Sequence, residues 1–144
     1  MPHEKRGAGS AGATITYSDD RERVSIPQLL SLYHVTYWAK GRTAAQVERA
    51  LQYSRPVITA WDGDRMVGFT RVISDLTYRA TIWDVIVAET HRKHGIGREM
   101  MRKVLDHTDL KTVTMFLLLT KDRQRFYEHL GFHVESDMSM MLRR

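Results

Sequence analysis

The apolar positions change their period several times along the chain, and each change marks an element. "TITYS", beginning at Thr14, alternates as a short first strand does. Ile26, Leu29, Leu30, Tyr33 and Tyr37 recur at helical spacing, with Pro27 placed where the first turn of a helix tolerates it. In "GRTAAQVERALQ", Thr43 stands three residues before Gln46, the spacing of a capping box, and Ala44, Val47, Ala50 and Leu51 supply the buried stripe of a second helix. "PVITAWDGDRMVGFTRVIS" predicts a hairpin turning at Asp62-Gly63-Asp64, because two β-rich runs flank residues that favour a tight primed turn. "ATIWDVIVAE" supplies a fourth strand. A helix follows from about Gly97 to His107, with Met100, Met101, Val104 and Leu105 turned inward. "TVTMFLLLT" is so apolar that it predicts a strand buried on both faces. A last helix spans about Asp122 to Leu130, and "GFHVESDMSMML" predicts a closing strand.

The predicted order is strand, two helices, three strands, helix, strand, helix, strand. A strand–helix–apolar strand unit in the second half implies a parallel pair joined by a right-handed crossover, whereas the hairpin half is antiparallel. The fold class is therefore α/β of the α+β kind, a central mixed β-sheet flanked by helices on both faces. No repeat or linker interrupts Thr14 to Leu142. Residues 1–12 read as a flexible lead and residues 13–144 as a single domain.

Composition narrows the classes. A chain of 144 residues, 42% hydrophobic and 27% charged, suits one soluble domain with a sizeable core. The absence of cysteine excludes a disulfide framework, a thiolate nucleophile and a Cys-based zinc site, and it fits the cytoplasm, the expected location. Apolar runs are too short to span a bilayer, so no membrane partner is expected, and "MPHEKRGAGSAGAT" lacks the apolar centre of a secretory signal. The net charge of +5 raises the question of nucleic acid. The basic residues gather between Arg92 and Arg125, around the glycine loop and the segment near Tyr127, and few aromatic residues accompany them: Phe116 within that stretch, Phe126 and Tyr127 just beyond it. That is thin for a base-stacking surface, and no specific nucleic acid is expected.

The charge surrounds "HRKHGIG", His91 to Gly97, directly after the apolar fourth strand. A strand that ends in a glycine turn and enters a helix leaves the first amides of that helix unpaired, with the positive end of its dipole behind them. Such a place binds anions. Gly95 and Gly97 would let a phosphate approach, and Arg92, Lys93 and Arg98 would add charge. A bare Gly-x-Gly also serves simply to shape a turn. Two better-known phosphate motifs do not fit: Met100 stands where a dinucleotide fingerprint needs a third glycine, and no Gly-Lys-Ser/Thr follows. His91 and His94, three apart, are not completed to a ligand set by a carboxylate or cysteine, so no metal is expected.

"VIVAETHRKHGIGREMM" resembles the acyl-CoA-binding signature of the GNAT superfamily of acetyltransferases, with Arg92, Gly95 and Gly97 matching its fixed positions. "TKDRQRFYEHLGFHVES" resembles the C-terminal element of the same superfamily, with Phe126-Tyr127 followed by Gly131-Phe132. The resemblance covers about Thr14 to Leu142. It implies acetyl-CoA as co-substrate, its pyrophosphate held by Arg92, Lys93, His94, Gly95, Ile96, Gly97 and Arg98. It also implies a pantetheine arm paired with Val85, Ile86 and Val87 beside Phe126, and Tyr127 as general acid to the coenzyme A sulfur. Without cysteine, acetyl transfer to the amine would be direct, within a ternary complex.

The base stays open. The superfamily's strand-four acid/base positions correspond to Thr81 and Trp83, neither of which accepts a proton. Asp84 lies between them and points to the opposite face unless a bulge reverses it. The candidates are Asp84 and a water relay to bulk. Acceptor specificity in the superfamily comes from the first two helices and their connection, here with Tyr33, Tyr37 and Trp38, flat walls suited to an aromatic or alkyl amine; Tyr33 and Tyr37 also fit as core. The expected function is thus an N-acetyltransferase acting on a small primary amine, with a homodimer one of the states left open, and the alternative is a non-catalytic acyl-CoA-binding module of the same fold.

Overall fold

Five strands and four helices make up the part of the chain that the computed structural model describes, residues 14–144. The flexible lead expected at residues 1–12 lies outside the described residues. The elements are β1 (Ile15–Ser18), α1 (Ile26–His34), α2 (Ala44–Gln52), β2 (Val57–Asp62), β3 (Arg65–Ser74), β4 (Arg79–Val87), α3 (Ile96–Leu105), β5 (Met115–Leu118) and α4 (Gln124–Glu128). The strands lie side by side in chain order. The pairs β1–β2, β2–β3 and β3–β4 are antiparallel, and β4–β5 is parallel, with α3 as the crossover.

Local chemistry explains the boundaries. The Ser25 hydroxyl accepts from the Gln28 amide ahead of Pro27, and Thr43 with Gln46 closes the expected capping box of α2. The hairpin turns through Gly63 at φ 59°, in the left-handed region a primed turn requires. Helix α1 stops at His34, where the Thr36 hydroxyl donates to the Tyr33 carbonyl and accepts from the Ala39 amide. Tyr37 therefore falls beyond the helix it was expected to extend.

The two sides of β3 show where the helices sit. Phe69 packs edge-on against Tyr33 of α1 at 6.1 Å between ring centres. Its neighbour Gly68 faces α3, and a Cβ built there would stand 2.9 Å from the Met100 sulfur. Consecutive strand residues point to opposite faces, so α1 and α3 cover opposite faces of the sheet. Leu29, Tyr33, Phe69, Met100, Met101 and Val104 belong to one continuous core.

Three sequence expectations need correction. β5 is not buried on both faces: Met115 and Leu117 are exposed, and Phe116 and Leu118 are only partly covered. Residues 132–142 form no strand, so β5 is the sheet edge and lacks the neighbour that would bury it. Ala44 is exposed, and Ala50 and Leu105 are only half-buried, because the buried stripes of α2 and α3 are narrower than the apolar pattern.

Candidate active site

β4 and β5 pair only from Arg79↔Met115 to Ile82↔Leu118, yet β4 runs on to Val87. Beyond Ile82 the pairing stops, because β5 ends at Leu118, and Val85, Ile86 and Val87 have no strand partner on the β5 side. The register between β3 and β4 shifts at the same level. Arg71 pairs with Trp83 and Phe69 with Ile86, so Thr70 alone stands opposite both Asp84 and Val85. This is a β-bulge, and Asp84 sits in it at φ 56°.

The bulge turns Asp84 to the face that carries Tyr33 and Arg71. Its side chain is 3% exposed. The Tyr33 hydroxyl donates to Oδ2 at 2.8 Å, Arg42 Nη1 at 2.7 Å and Arg71 Nε at 2.7 Å. Burial alone would raise the carboxyl pKa, but the hydrogen bonds and charges of the two arginines outweigh it and hold the group below its ordinary value. Tyr33 is pushed the other way, by its own burial and by the Asp84 charge. A carboxylate held this firmly in its ionised form is a weak proton acceptor. Thr81 and Trp83 are also engaged, since the Trp83 indole N–H donates to the Thr81 hydroxyl at 2.8 Å.

The three expected acceptor residues separate. Tyr33 is core, and its polar tip belongs to Asp84. Trp38, 42% exposed, meets the Tyr33 ring edge-on at 6.1 Å, and the Arg42 guanidinium lies over both rings at 4.8 and 5.6 Å. Tyr37 is 69% exposed and lies under the Lys121 ammonium at 5.7 Å, a contact that brings the α1–α2 connection to the β5–α4 loop.

At the far end of β4, Gly95 caps α3 at φ 82° with no side-chain hydrogen bond, preceded by Lys93 at φ 66°. The amides of residues 93–98 find no acceptor among the described residues. Ile96 is buried and anchors the turn, while Arg92, Lys93, His94 and Arg98 are exposed around it. Arg92 Nε donates to the Val87 carbonyl at 3.2 Å, which ties the turn to the end of the strand. His91 is buried, with Nε2 at 2.8 Å from Asp62 Oδ2 and Nδ1 at 2.7 Å from the Thr90 hydroxyl, so it pins this turn to the β2–β3 hairpin. No group of three or more His, Cys, Asp or Glu among the described residues could hold a metal ion.

Tyr127 lies on α4, one residue after Phe126, whose ring faces Gly97. Its ring is buried edge-on between Phe126 and Phe132, at 4.9 and 5.9 Å. Its hydroxyl has no hydrogen-bond partner among the described residues, and no buried side-chain oxygen there is left unpaired, so the hydroxyl reaches the surface. Burial of the ring pushes its pKa up to about 12.

Residues 54–134 match the model of the GNAT acetyltransferase domain. The chain belongs to the GNAT family. Over 128 residues it is 30% identical to the uncharacterised N-acetyltransferase ycf52 of Porphyra purpurea, an alignment that covers 84% of this chain and 72% of that one. The ycf52 protein of Gracilaria tenuistipitata is 36% identical over 77 residues, but the match covers only 50% of this chain and 40% of that relative. A crystal structure from Xanthomonas campestris assigned to the GNAT family superposes with a TM-score of 0.82 at 32% identity, covering 90% of this chain and 92% of that one.

A GNAT domain uses an acyl-CoA, and this chain's residues fit one. The unpaired amides and the surrounding cations suit a pyrophosphate. The part of β4 beyond Ile82, without a strand partner on the β5 side, suits an amide-bearing arm, and the Tyr127 hydroxyl has no partner among the described residues. The two glycines, however, do different work. A Cβ at Gly95 would meet nothing within 4 Å, so its roles are the positive φ and the open space above the amides. A Cβ at Gly97 would lie 3.4 Å from the Phe126 ring and 3.6 Å from Val87. Those are ordinary contact distances, so Gly97 lies against Phe126 of α4 and Val87 of β4 without needing to be bare. Gly95→Val is expected to abolish coenzyme A binding and to cost about 1–2 kcal/mol of stability from the left-handed backbone, read by calorimetric titration and urea unfolding. Unchanged affinity would remove the loop from the site.

Sequence reasoning missed Arg71 and the inward role of Arg42. A signal existed for the first: Arg71 keeps phase with Val67 and Phe69 on β3, and an arginine on a buried row requires a counter-charge.

Proposed function

We propose that this GNAT domain transfers an acetyl group from acetyl-CoA directly to the primary amine of a small molecule, in a ternary complex. The observation that carries the reading is the stretch of β4 beyond Ile82 that has no partner on the β5 side, followed by a glycine turn whose amides, residues 93–98, are unpaired. Phe126 and Val87 both face Gly97, and the Tyr127 hydroxyl, next in the chain to Phe126, is unpartnered among the described residues. Bound acetyl-CoA supplies an electrophilic thioester carbonyl. Arg92, Lys93, Arg98 and the α3 amides bind the phosphates, and the edge of Val85–Val87 orients the arm. Tyr127 holds the proton that the leaving sulfur needs. The chain contains no cysteine to carry the acyl group, in keeping with direct transfer.

Asp84 positions the site through Arg42, Arg71 and Tyr33 instead of moving a proton, and the ammonium proton leaves through water to bulk. Two arginines face one carboxylate, so the cluster keeps an excess positive charge beside the Tyr33–Trp38 wall. That disfavours a polycationic acceptor and favours a neutral or aromatic amine.

A thermal-shift series with coenzyme A, followed by thiol release against a panel of small amines, tests the proposal. Stabilisation by coenzyme A with turnover on at least one small amine is expected; binding with no turnover on any would overturn it. The pH profile adds a check. Tyr127 must be protonated to act, and a pKa pushed up to about 12 keeps it so. The rate should therefore show no alkaline fall up to about pH 10, where an ordinary tyrosine would be half ionised. A fall with a midpoint near 9 would assign the acid role to another group.

A further inference from the structure

Tyr33 of α1, Arg42 of the α1–α2 connection, Gln46, Val47 and Ala50 of α2 and Arg71 of β3 line a cavity of about 250 Å3. Its acceptors are already used. The Gln46 side-chain oxygen receives the Thr43 amide at 2.9 Å, the Tyr33 hydroxyl is engaged with Asp84, and the Ala50 carbonyl receives the Ser54 hydroxyl at 2.7 Å. Its donors are not. Arg42 gives one bond, from Nη1 to Asp84, while Arg71 gives Nε to Asp84 and Nη1 to the Ser54 hydroxyl at 3.3 Å. Nη2 of each arginine, Nε of Arg42 and the amide nitrogen of Gln46 have no acceptor among the described residues. Charge points the same way: two guanidiniums share the single carboxylate of Asp84, and neither meets a second acid among the described residues. One positive charge is left over in a cavity that otherwise offers only donors and the apolar side chains of Val47 and Ala50.

We propose that this cavity holds a carboxylate carried by the acceptor, so that the amine acetylated is that of an amino acid. The inference rests on the acetyl-transfer reading above and narrows its substrate. An ionised carboxylate accepts hydrogen bonds and donates none, which is what a set of unclaimed N–H groups selects. Its single charge balances the single surplus charge of the Arg42–Asp84–Arg71 cluster, whereas a phosphate dianion would leave a negative excess beside the buried Asp84. The Arg42 guanidinium is held over the Tyr33 and Trp38 rings at 4.8 and 5.6 Å, so it is set in place before a ligand arrives and little of its freedom remains to be lost. An amino acid is also neutral overall, in keeping with a site whose charge turns polycations away.

Two measurements on the full chain test this. In thiol release, 5-aminopentanoate is compared with pentylamine and phenylalanine with phenethylamine. At least one acid should exceed its decarboxylated partner in kcat/KM by about 10-fold or more, the scale of hydrogen bonds to a charged group. Gln46→Glu keeps the capping box of α2, because glutamate accepts at that position as glutamine does, and it replaces the free amide with a negative charge. That ratio should then fall by about 10-fold or more, with coenzyme A affinity retained as the sign of an intact fold. In calorimetric titration of the coenzyme A complex, which needs no turnover, pentanoate or 3-phenylpropionate should bind where 1-pentanol and 3-phenylpropanol do not, and Gln46→Glu should abolish that binding. Equal turnover of acids and decarboxylated amines would overturn the inference, as would a preference that survives Gln46→Glu. Acids and alcohols that bind alike, or no acid binding, would remove the cavity from the site whatever is turned over. Acid binding without turnover on any amine would overturn the transfer reading instead, and with it the assignment of the carboxylate to an acceptor.

Discussion

Tyr127→Phe is expected to lower turnover by roughly 10- to 1000-fold while coenzyme A affinity stays within a few-fold. The substitution removes one hydroxyl and leaves the ring, whose packing between Phe126 and Phe132 is what holds α4 in place. The hydroxyl makes no bond to the described protein, so its loss strands no partner and the fold should not respond. What is lost is the proton at the leaving sulfur. The raised pKa makes Tyr127 a reluctant acid, so its contribution comes from a hydrogen bond that strengthens as charge develops on the sulfur. The loss should appear in kcat and kcat/KM alike. Wild-type turnover by the variant at every pH would make Tyr127 a packing residue, even with fold and co-substrate unchanged.

Asp84→Ala is expected to cost about 3 kcal/mol of stability or more, a fall in Tm on the order of 10 °C. The effect is large because the substitution leaves the Arg71 and Arg42 guanidiniums and the Tyr33 hydroxyl gathered around a missing charge, with Arg71 only 12% exposed. The pH dependence has a definite sign. The folded-state pKa of Asp84 lies below its unfolded value, so its contribution is complete above the unfolded pKa of about 3.9 and is lost as the pH falls through the folded one. Urea unfolding of the wild type from neutral pH down into that window should show this loss, and Asp84→Ala should lack it. Equal stability of the two proteins at neutral pH would mean that the arginines find solvent without difficulty and that the cluster does not organise the site.

Much of the architecture could be read from period and punctuation. The capping box at Thr43, the Asp-Gly hairpin and the glycine turn after β4 are local signals, and local chemistry is what a sequence spells out. Asp84 was harder. Counting alternation along β4 sends its side chain to the wrong face, because its true direction depends on Thr70, fourteen residues earlier, standing opposite two residues instead of one. The β5 strand shows a related limit. Its apolar run states that it wants covering on both sides, but whether a covering strand is supplied depends on what lies next to it in space. Residues 132–142 carry the alternation of a strand and form none, because a strand is completed by a neighbour and not by its own pattern. Tyr37 failed for a smaller reason: α1 ends at His34, three residues before it, and the Thr36 hydroxyl bonded to the Tyr33 carbonyl helps close the helix there.

Gly68 has a wider reach than one missing methyl suggests. A Cβ there would crowd the Met100 sulfur at 2.9 Å and the Ala60 Cβ at 3.0 Å, so the bare backbone of β3 lets α3 settle onto the sheet. The unpaired amides of the glycine turn open that same helix, so their height above the sheet is set from a strand they do not touch. A methyl at Gly68 would push on α3 and, through it, on the turn, a displacement at a distance that no contact of the turn itself would reveal.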